Sequence, residues 1–319
     1  MSPDPLTLRV VKRSPSPLDA ALAAFLLDRE AARCTPKTLE MYRYALGSFL
    51  QWLEPRGVCE VAAVTPSHIR AYLVELQGRQ LKDTTQHLHA RCLRAWFRWL
   101  HREGEIAENP MTRVAMPKLE QRIPAPFTPE EVQALLAACD RQTAVGARDL
   151  AMILVLLDTG LRAAELVSLR AGDIDMRTGL ATVRGKGQKW RQVRIGARAR
   201  AALLTYLRHV NVAPGEPLWR AYSYDGLEQG ALTVGGLKTR LQRLGRRAGV
   251  RPSGPHRFRR TFALWSLRSG MDLHSLRVLM GHSNLEVLQR YLRIAGEDVE
   301  RAHREHSPVD KLLGGTERR

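Results

Sequence analysis

Six side chains in the second half of the sequence could together move a phosphoryl group without a metal: Arg162, Lys186, His256, Arg259, His282 and Tyr291. Guanidinium and imidazole groups stabilise the charge that builds on five-coordinate phosphorus. A phenol can form a covalent link to it, and an ammonium can protonate the departing oxygen. Each residue alone is a weak signal. Arg162 lies in TGLRAAEL, just past a glycine that closes a long apolar stretch. A helix starting there offers free amides to an anion, and a guanidinium can grip two oxygens at once. Lys186 lies in VRGKGQKWR, in a glycine-bearing turn between two strand-like runs. Lysine is scarce, 8 residues against 42 arginines, and unlike arginine it can release a proton when its surroundings lower its pKa. Lys189 competes for the same role. His256 and Arg259 are three apart and so share a helix face, with Phe262, Leu264 and Leu267 available to bury. His282 opens Gly281-His282-Ser283-Asn284, ahead of a helix with a Ser283…Glu286 capping box. Tyr291 falls nine residues after His282.

Taken in order, TGLRAAEL, VRGKGQKWR, PHRFRR, LMGHSN and the following Tyr291 resemble the motifs of the tyrosine recombinases, also called phage integrase family proteins. The resemblance spans roughly residues 127–305 and fits an Xer-like two-domain layout. It implies that Arg162 and Arg259 clamp a scissile phosphate, with His256 assisting as hydrogen-bond partner and proton acceptor. It implies Lys186 as general acid and His282 as a donor to a phosphate oxygen. Tyr291 would attack phosphorus, leaving a 3′-phosphotyrosyl bond and a free 5′-hydroxyl. Glu165 falls where the family has an acid that supports the site. The resemblance also implies a homotetramer on two DNA sites, or a heterotetramer with a related recombinase. Two segments depart from the common pattern: Phe258-Arg259-Arg260 in place of Leu-Arg-His, and Tyr291-Leu292-Arg293 in place of Tyr-Thr-His. Neither removes a catalytic group, and the departure after Tyr291 points toward a mobile-element enzyme.

The expected function is site-specific DNA recombination or integration. A type IB topoisomerase-like relaxing activity and a non-catalytic DNA-binding regulator are the alternatives; the complete catalytic set opposes the second. No cluster of carboxylates accompanies the basic motifs to hold Mg²⁺. Neither a metal, another cofactor nor ATP is expected, because a phosphotyrosyl link preserves the energy of the broken phosphodiester.

Placing these residues requires a mainly α fold with a small β-hairpin in the second, α+β domain. Residues 1–16 read as a flexible tail, 17–105 as an all-helical, SAM-like core-binding domain for DNA, 106–126 as a proline-rich linker, 127–305 as the catalytic domain and 306–319 as a tail. Helix starts are signalled by Thr35-Pro36, Thr65-Pro66 and Thr128-Pro129, where threonine caps free amides and proline fits the first turn. A capping box is expected at Asp83 and Gln86. Further helices are expected at about 197–209, 233–248, 256–269, 273–280 and 284–293, and strands at 181–184 and 191–195.

The helix at about 84–101 carries two stripes. Leu88, Cys92, Trp96 and Trp99 form the apolar one; His87, Arg91, Arg94 and Arg98 form a basic one. A second basic stripe, Arg240, Arg243 and Arg247, runs beside Leu237, Leu241, Leu244 and Ala248. Lys and Arg total 50 against 32 acids, for a net charge of +18. Such an excess attracts a polyanion, and the expected partner is double-stranded DNA at specific sites. Cys34, Cys59, Cys92 and Cys139 form no CxxC pair and suit a reducing compartment. With no apolar signal core and no apolar run long enough to span a bilayer, a cytoplasmic protein with no membrane contact is expected.

Affinity for duplex DNA should fall steeply with salt, since each neutralised phosphate releases counterions. Changing Arg91, Arg94 or Arg98 to Ala should reduce the log–log salt slope by about one per residue. An unchanged slope in binding titrations would mark these arginines as solvated surface.

Overall fold

The computed structural model describes residues 16–118, 125–185, 190–223 and 225–281, with positions 307 and 309. Lys186, Lys189, His282, Tyr291 and the helix expected at 284–293 lie outside the described residues. The chain divides into two compact units, Met1–Arg122 and Ile123–Arg319, each with its own hydrophobic core. The fold class is mainly α with small antiparallel sheets.

The first unit is built from α1 (Pro17–Ala31), α2 (Pro36–Leu53), α3 (Pro66–Gly78) and α4 (Asp83–Arg102). Thr35 and Thr65 cap α2 and α3 as expected, each accepting a hydrogen bond from a backbone N–H three residues on, with proline in the first turn. Ser16 caps α1 in a reciprocal box with Asp19. The box expected at Asp83 does not form. Lys82 is the cap residue, Asp83 already lies in the first turn, and buried Gln86 donates backwards to the Leu81 carbonyl at 2.8 Å. Asp83 instead favours the helix through its charge near the positive end of the dipole.

The two stripes of α4 separate as drawn, with Cys92, Trp96 and Trp99 buried and Arg91, Arg94 and Arg98 exposed. His87 stays on the face of the basic stripe, half-buried, with its Nδ1 hydrogen-bonded to the Pro117 carbonyl. The start of the segment read as a linker is not free chain. Ile106, Met111 and Val114 are buried in the first unit's core, and Asn109 caps a 3₁₀ turn at Pro110–Arg113. Burying three such side chains outweighs the open-chain preference suggested by the prolines.

The second unit contains α5 (Pro129–Ala137), α6 (Ala144–Thr159), α7 (Ala163–Ser168), the strands β1 (Leu180–Arg184) and β2 (Trp190–Arg194), α8 (Ala197–Leu207), β3 (Arg220–Tyr222), β4 (Glu228–Ala231), α9 (Val234–Arg247), α10 (Pro255–Arg268) and α11 (Leu273–Met280). β1 and β2 form the expected antiparallel hairpin, with Val183 opposite Arg191. A second antiparallel pair, β3–β4, escaped sequence reading: β4 is exposed throughout and has no inside–outside alternation to betray it. Thr128 caps α5 in a reciprocal box with Glu131. α6 is the central helix, with Ala147, Leu150, Ala151, Met152, Ile153, Val155 and Leu156 all buried. A helix apolar on nearly every face must be enclosed by neighbours, and α8 and α10 pack against it. Among the described residues no helix is long and apolar enough to cross a membrane.

α6 stops at Gly160, which adopts φ +60° and turns the chain into Leu161 and Arg162. A Cβ there would lie 2.3 Å from the Phe262 ring of α10. The glycine is therefore needed twice, for its backbone angle and for the close approach of α10. Gly160→Ala should lower stability by about 2–4 kcal/mol, combining left-handed strain with overpacking. Gly249→Ala, at φ +70° with nothing within 4 Å of its Cβ, should lose only the strain, about 1–2 kcal/mol. Equal shifts in the two urea midpoints would show that Phe262 yields freely.

Candidate active site

Glu165 organises the site. It lies in the first turn of α7 with its side chain 3% exposed. Arg162, the residue before α7, has an extended backbone, and its N–H donates to Glu165 Oε2 at 2.8 Å. Its Nη1 donates to Glu165 Oε1 at 2.8 Å. From β2, Arg191 places Nη1 on Oε1 and Nη2 on Oε2, both at 2.8 Å. One carboxylate thus accepts four charge-assisted or backbone hydrogen bonds. Burial alone would raise its pKa. The hydrogen bonds from Arg191, the Arg162 N–H and the two guanidinium charges outweigh that penalty and hold it at about 2, against an ordinary 4.5.

The same arginines reach the end of α11. Arg191 Nε donates to the Leu279 carbonyl at 2.9 Å. Arg259 Nη2 donates to the Met280 carbonyl at 2.6 Å, and Arg162 Nη2 to the Gly281 carbonyl at 3.0 Å. Three arginines from three separate elements hold three consecutive carbonyls. A helix C-terminus leaves its last carbonyls without intrahelical partners and carries negative potential, so cations satisfy it on both counts. Gly281 takes φ +60°, and a Cβ there would lie 3.2 Å from Arg191. Arg259 is also tied to the Gly160 carbonyl at 2.6 Å through Nη1, linking the turn after α6 to the end of α11.

Arg162 and Arg259 are therefore brought together, beside the residue that precedes His282. His256 lies in the first turn of α10, one helical turn before Arg259. Partial burial of its ring, followed by the positive charges of Arg259, Lys238, Arg260 and Arg162, lowers its pKa below the ordinary 6.5. The neutral imidazole is favoured at neutral pH and can accept a proton. Arg257, between them, faces the opposite way: it pairs with Glu131 at 2.5 Å, donates to the Ala125 carbonyl at 3.0 Å and stacks on Phe127 at 4.2 Å. Lys186, His282 and Tyr291 lie outside the described residues.

Sequence reading did not pick out Arg191. A signal was present: Arg191, Val193 and Ile195 alternate along one strand face, and the latter two are buried. A charge in an apolar register needs a buried partner.

Of the proposed DNA-contacting arginines, Arg240 differs from the rest. Its Nε pairs with Asp149 at 2.5 Å, and Asp149 is fully buried and also accepts two hydrogen bonds from Arg148. That ties Arg240 into an internal network, although it lines the same cleft as the rest of its stripe. Arg243 and Arg247 are exposed, as is Arg246, which sequence reading passed over. These three and Tyr222 line a cleft of about 810 Å³ in the second unit. In the first unit, Arg91, Arg94 and Arg98 line another of about 460 Å³.

Comparison with known proteins agrees with this architecture. Residues 126–297 match the phage integrase family, and residues 24–104 match its N-terminal SAM-like domain. The chain belongs to the phage integrase family, the tyrosine recombinases, and so to the enzymes of site-specific DNA recombination. It is 33% identical over 275 residues to tyrosine recombinase XerC of Bacillus pumilus, covering 85% of this chain and 90% of that one. It is 34% identical over 298 residues to XerC of Pelotomaculum thermopropionicum, covering 89% and 96%. Its fold matches that of XerH site-specific recombinase, crystallised on a palindromic difH substrate after cleavage, with a TM-score of 0.70 at 21% identity over 88% of this chain and 82% of that one.

The low pKa of Glu165 links the site to acid stability. A depressed carboxylate pKa gives stability that is complete above about 4.5 and lost as pH falls toward about 2. The advantage of wild type over Glu165→Gln in urea midpoint should shrink across that window. A difference independent of pH would mean the carboxylate is not ionised in the way described.

Proposed function

We propose that Arg162, Arg259 and His256 form the phosphate-binding part of a strand-transfer site completed by Lys186, His282 and Tyr291. The observation that carries this reading is the convergence of Arg162 and Arg259 on adjacent carbonyls at the end of α11, next to His282 in the chain. Those carbonyls are neutral acceptors. A phosphodiester oxygen is anionic and accepts a guanidinium hydrogen bond more strongly, so the two arginines are suited to receive it. Tyr291 attacks phosphorus, and neutral His256 takes up a proton in the process. Lys186 protonates the 5′-oxygen as it leaves. The resulting 3′-phosphotyrosyl link is resealed by a 5′-hydroxyl, from the exchanged strand in recombination. The charge of the transition state is carried by the two guanidiniums and His282.

Duplex DNA is the substrate in this reading. The exposed Arg91, Arg94 and Arg98 of α4 hold it through phosphates, and so do Arg243 and Arg247 of α9 with Arg246 beside them. Arg240, on the same cleft, also fixes α9 to Asp149. The working unit is a tetramer on two sites, and the departure after Tyr291 favours service to a mobile element.

The test is Tyr291→Phe, which removes one oxygen and leaves fold and DNA affinity intact. Wild-type protein expressed in cells and trapped on DNA under denaturing conditions should yield a covalent adduct, and sequencing the attached DNA returns the target site. Tyr291→Phe should yield none. An adduct that persists in that variant overturns the assignment of the nucleophile.

A further inference from the structure

Arg191 lies outside the set of residues discussed as touching phosphate, yet all three of its guanidinium nitrogens are hydrogen-bonded within the site. It binds both oxygens of Glu165, holds the Leu279 carbonyl and packs against Gly281. Its side chain is 13% exposed, whereas that of Arg162 is 32% exposed. The burial separates their roles: Arg162 keeps an open edge for a ligand, and Arg191 does not.

The charges explain why two arginines are needed. Glu165 carries one negative charge and faces two guanidiniums, so the cluster keeps a net charge of +1. Without Arg191, the carboxylate would cancel Arg162 alone, and the guanidinium offered to the phosphate would be electrostatically neutralised. In a buried site that loss is weakly screened. Arg191 also stands on β2, two residues after Lys189 in the chain. Its hydrogen bond to Leu279 therefore ties β2 to the end of α11, three residues before His282 in the chain.

We propose that Arg191 is a positioning residue for strand cleavage: it holds Glu165 and the α11 terminus so that Arg162 presents an uncompensated positive charge to the scissile phosphate. The proposal rests on the phosphate-binding role given above to Arg162. Its distinguishing feature is charge balance. Arg191→Gln takes the cluster from +1 to zero. Adding Glu165→Gln restores +1 with Arg162 as the sole charge. A residue needed only for packing would give no such recovery, because a second lesion in the same buried cluster would deepen the first.

The experiment uses the full chain and a nicked form of the site recovered by covalent trapping, from which the cleaved fragment diffuses away. Single-turnover cleavage is measured at saturating protein, beside the Kd for the same DNA and the thermal midpoint. Arg191→Gln should slow cleavage by about tenfold or more with Kd changed less than about threefold. The Arg191→Gln/Glu165→Gln double variant should cleave faster than Arg191→Gln, although it is no more stable. If Arg191→Gln does not fold, Arg191→Lys carries the test. It keeps the charge but cannot hold both Glu165 oxygens and Leu279, so its rate should fall below wild type by about threefold or more. Cleavage by either folded single variant within about twofold of wild type overturns the proposal. So does a double variant slower than Arg191→Gln. A wild-type chain that forms no covalent adduct would instead sink the assignment of the site itself, which separates the two failures.

Discussion

The second unit depends on how the buried carboxylate of Glu165 is neutralised. A lone ionised carboxylate at 3% exposure would be costly. Here the penalty is offset by two guanidiniums and a backbone amide, all at 2.8 Å. Because those guanidiniums come from the start of α7 and from β2, satisfying one side chain fixes the relation of two distant stretches of sequence. Their remaining donors run on to Leu279 and Gly281, and Arg259 of α10 takes Met280 between them. Three elements are thereby tied to the end of α11, the stretch before His282.

The same device appears a second time. Asp149, fully buried on α6, is shared between Arg148 of its own helix and Arg240 of α9, and Arg148 reaches on to the Arg220 carbonyl of β3 at 2.7 Å. Buried ion pairs of this kind add little net stability, since desolvation consumes most of the Coulombic gain. Their geometric demand is strict, however, because removing any partner leaves a charge stranded. The network holds Arg240, 24% exposed, in an ion pair, while Arg243, Arg246 and Arg247 on the same cleft are more exposed. Internal acids in this chain act as registration points for arginines from separate elements.

Local signals were easy to read. Thr35, Thr65 and Thr128 cap helices where proline follows, since capping and the proline ring are decided within a few residues. Gly160 ends α6 because only glycine accepts its left-handed angle so readily, and the alternation of Ala181, Val183 and Val193 marks the hairpin. Readings failed where the deciding partner is remote in sequence. Asp83 resembled a cap but lies inside the turn. Periodicity placed His87 and Arg240 on their basic stripes, but not their hydrogen bonds to groups 30 and 91 residues away. The prolines of 106–126 suggested a linker, while Ile106, Met111 and Val114 found the core. β3–β4 had no pattern to find.

The sequence by itself determined the chemistry: which side chains are available, their order along the chain, the helices that carry them and the excess of positive charge. These follow from residue type and from spacing along one element, both of which are local. Only the tertiary structure decided that Arg191 belongs with Arg162, that Glu165 serves both, and that three arginines meet three successive carbonyls. Those choices join Arg162, Arg191, Arg259 and Gly281 across 119 residues. They are made by the need to neutralise a buried charge and satisfy a helix end, a demand that exists only once the core has closed around them.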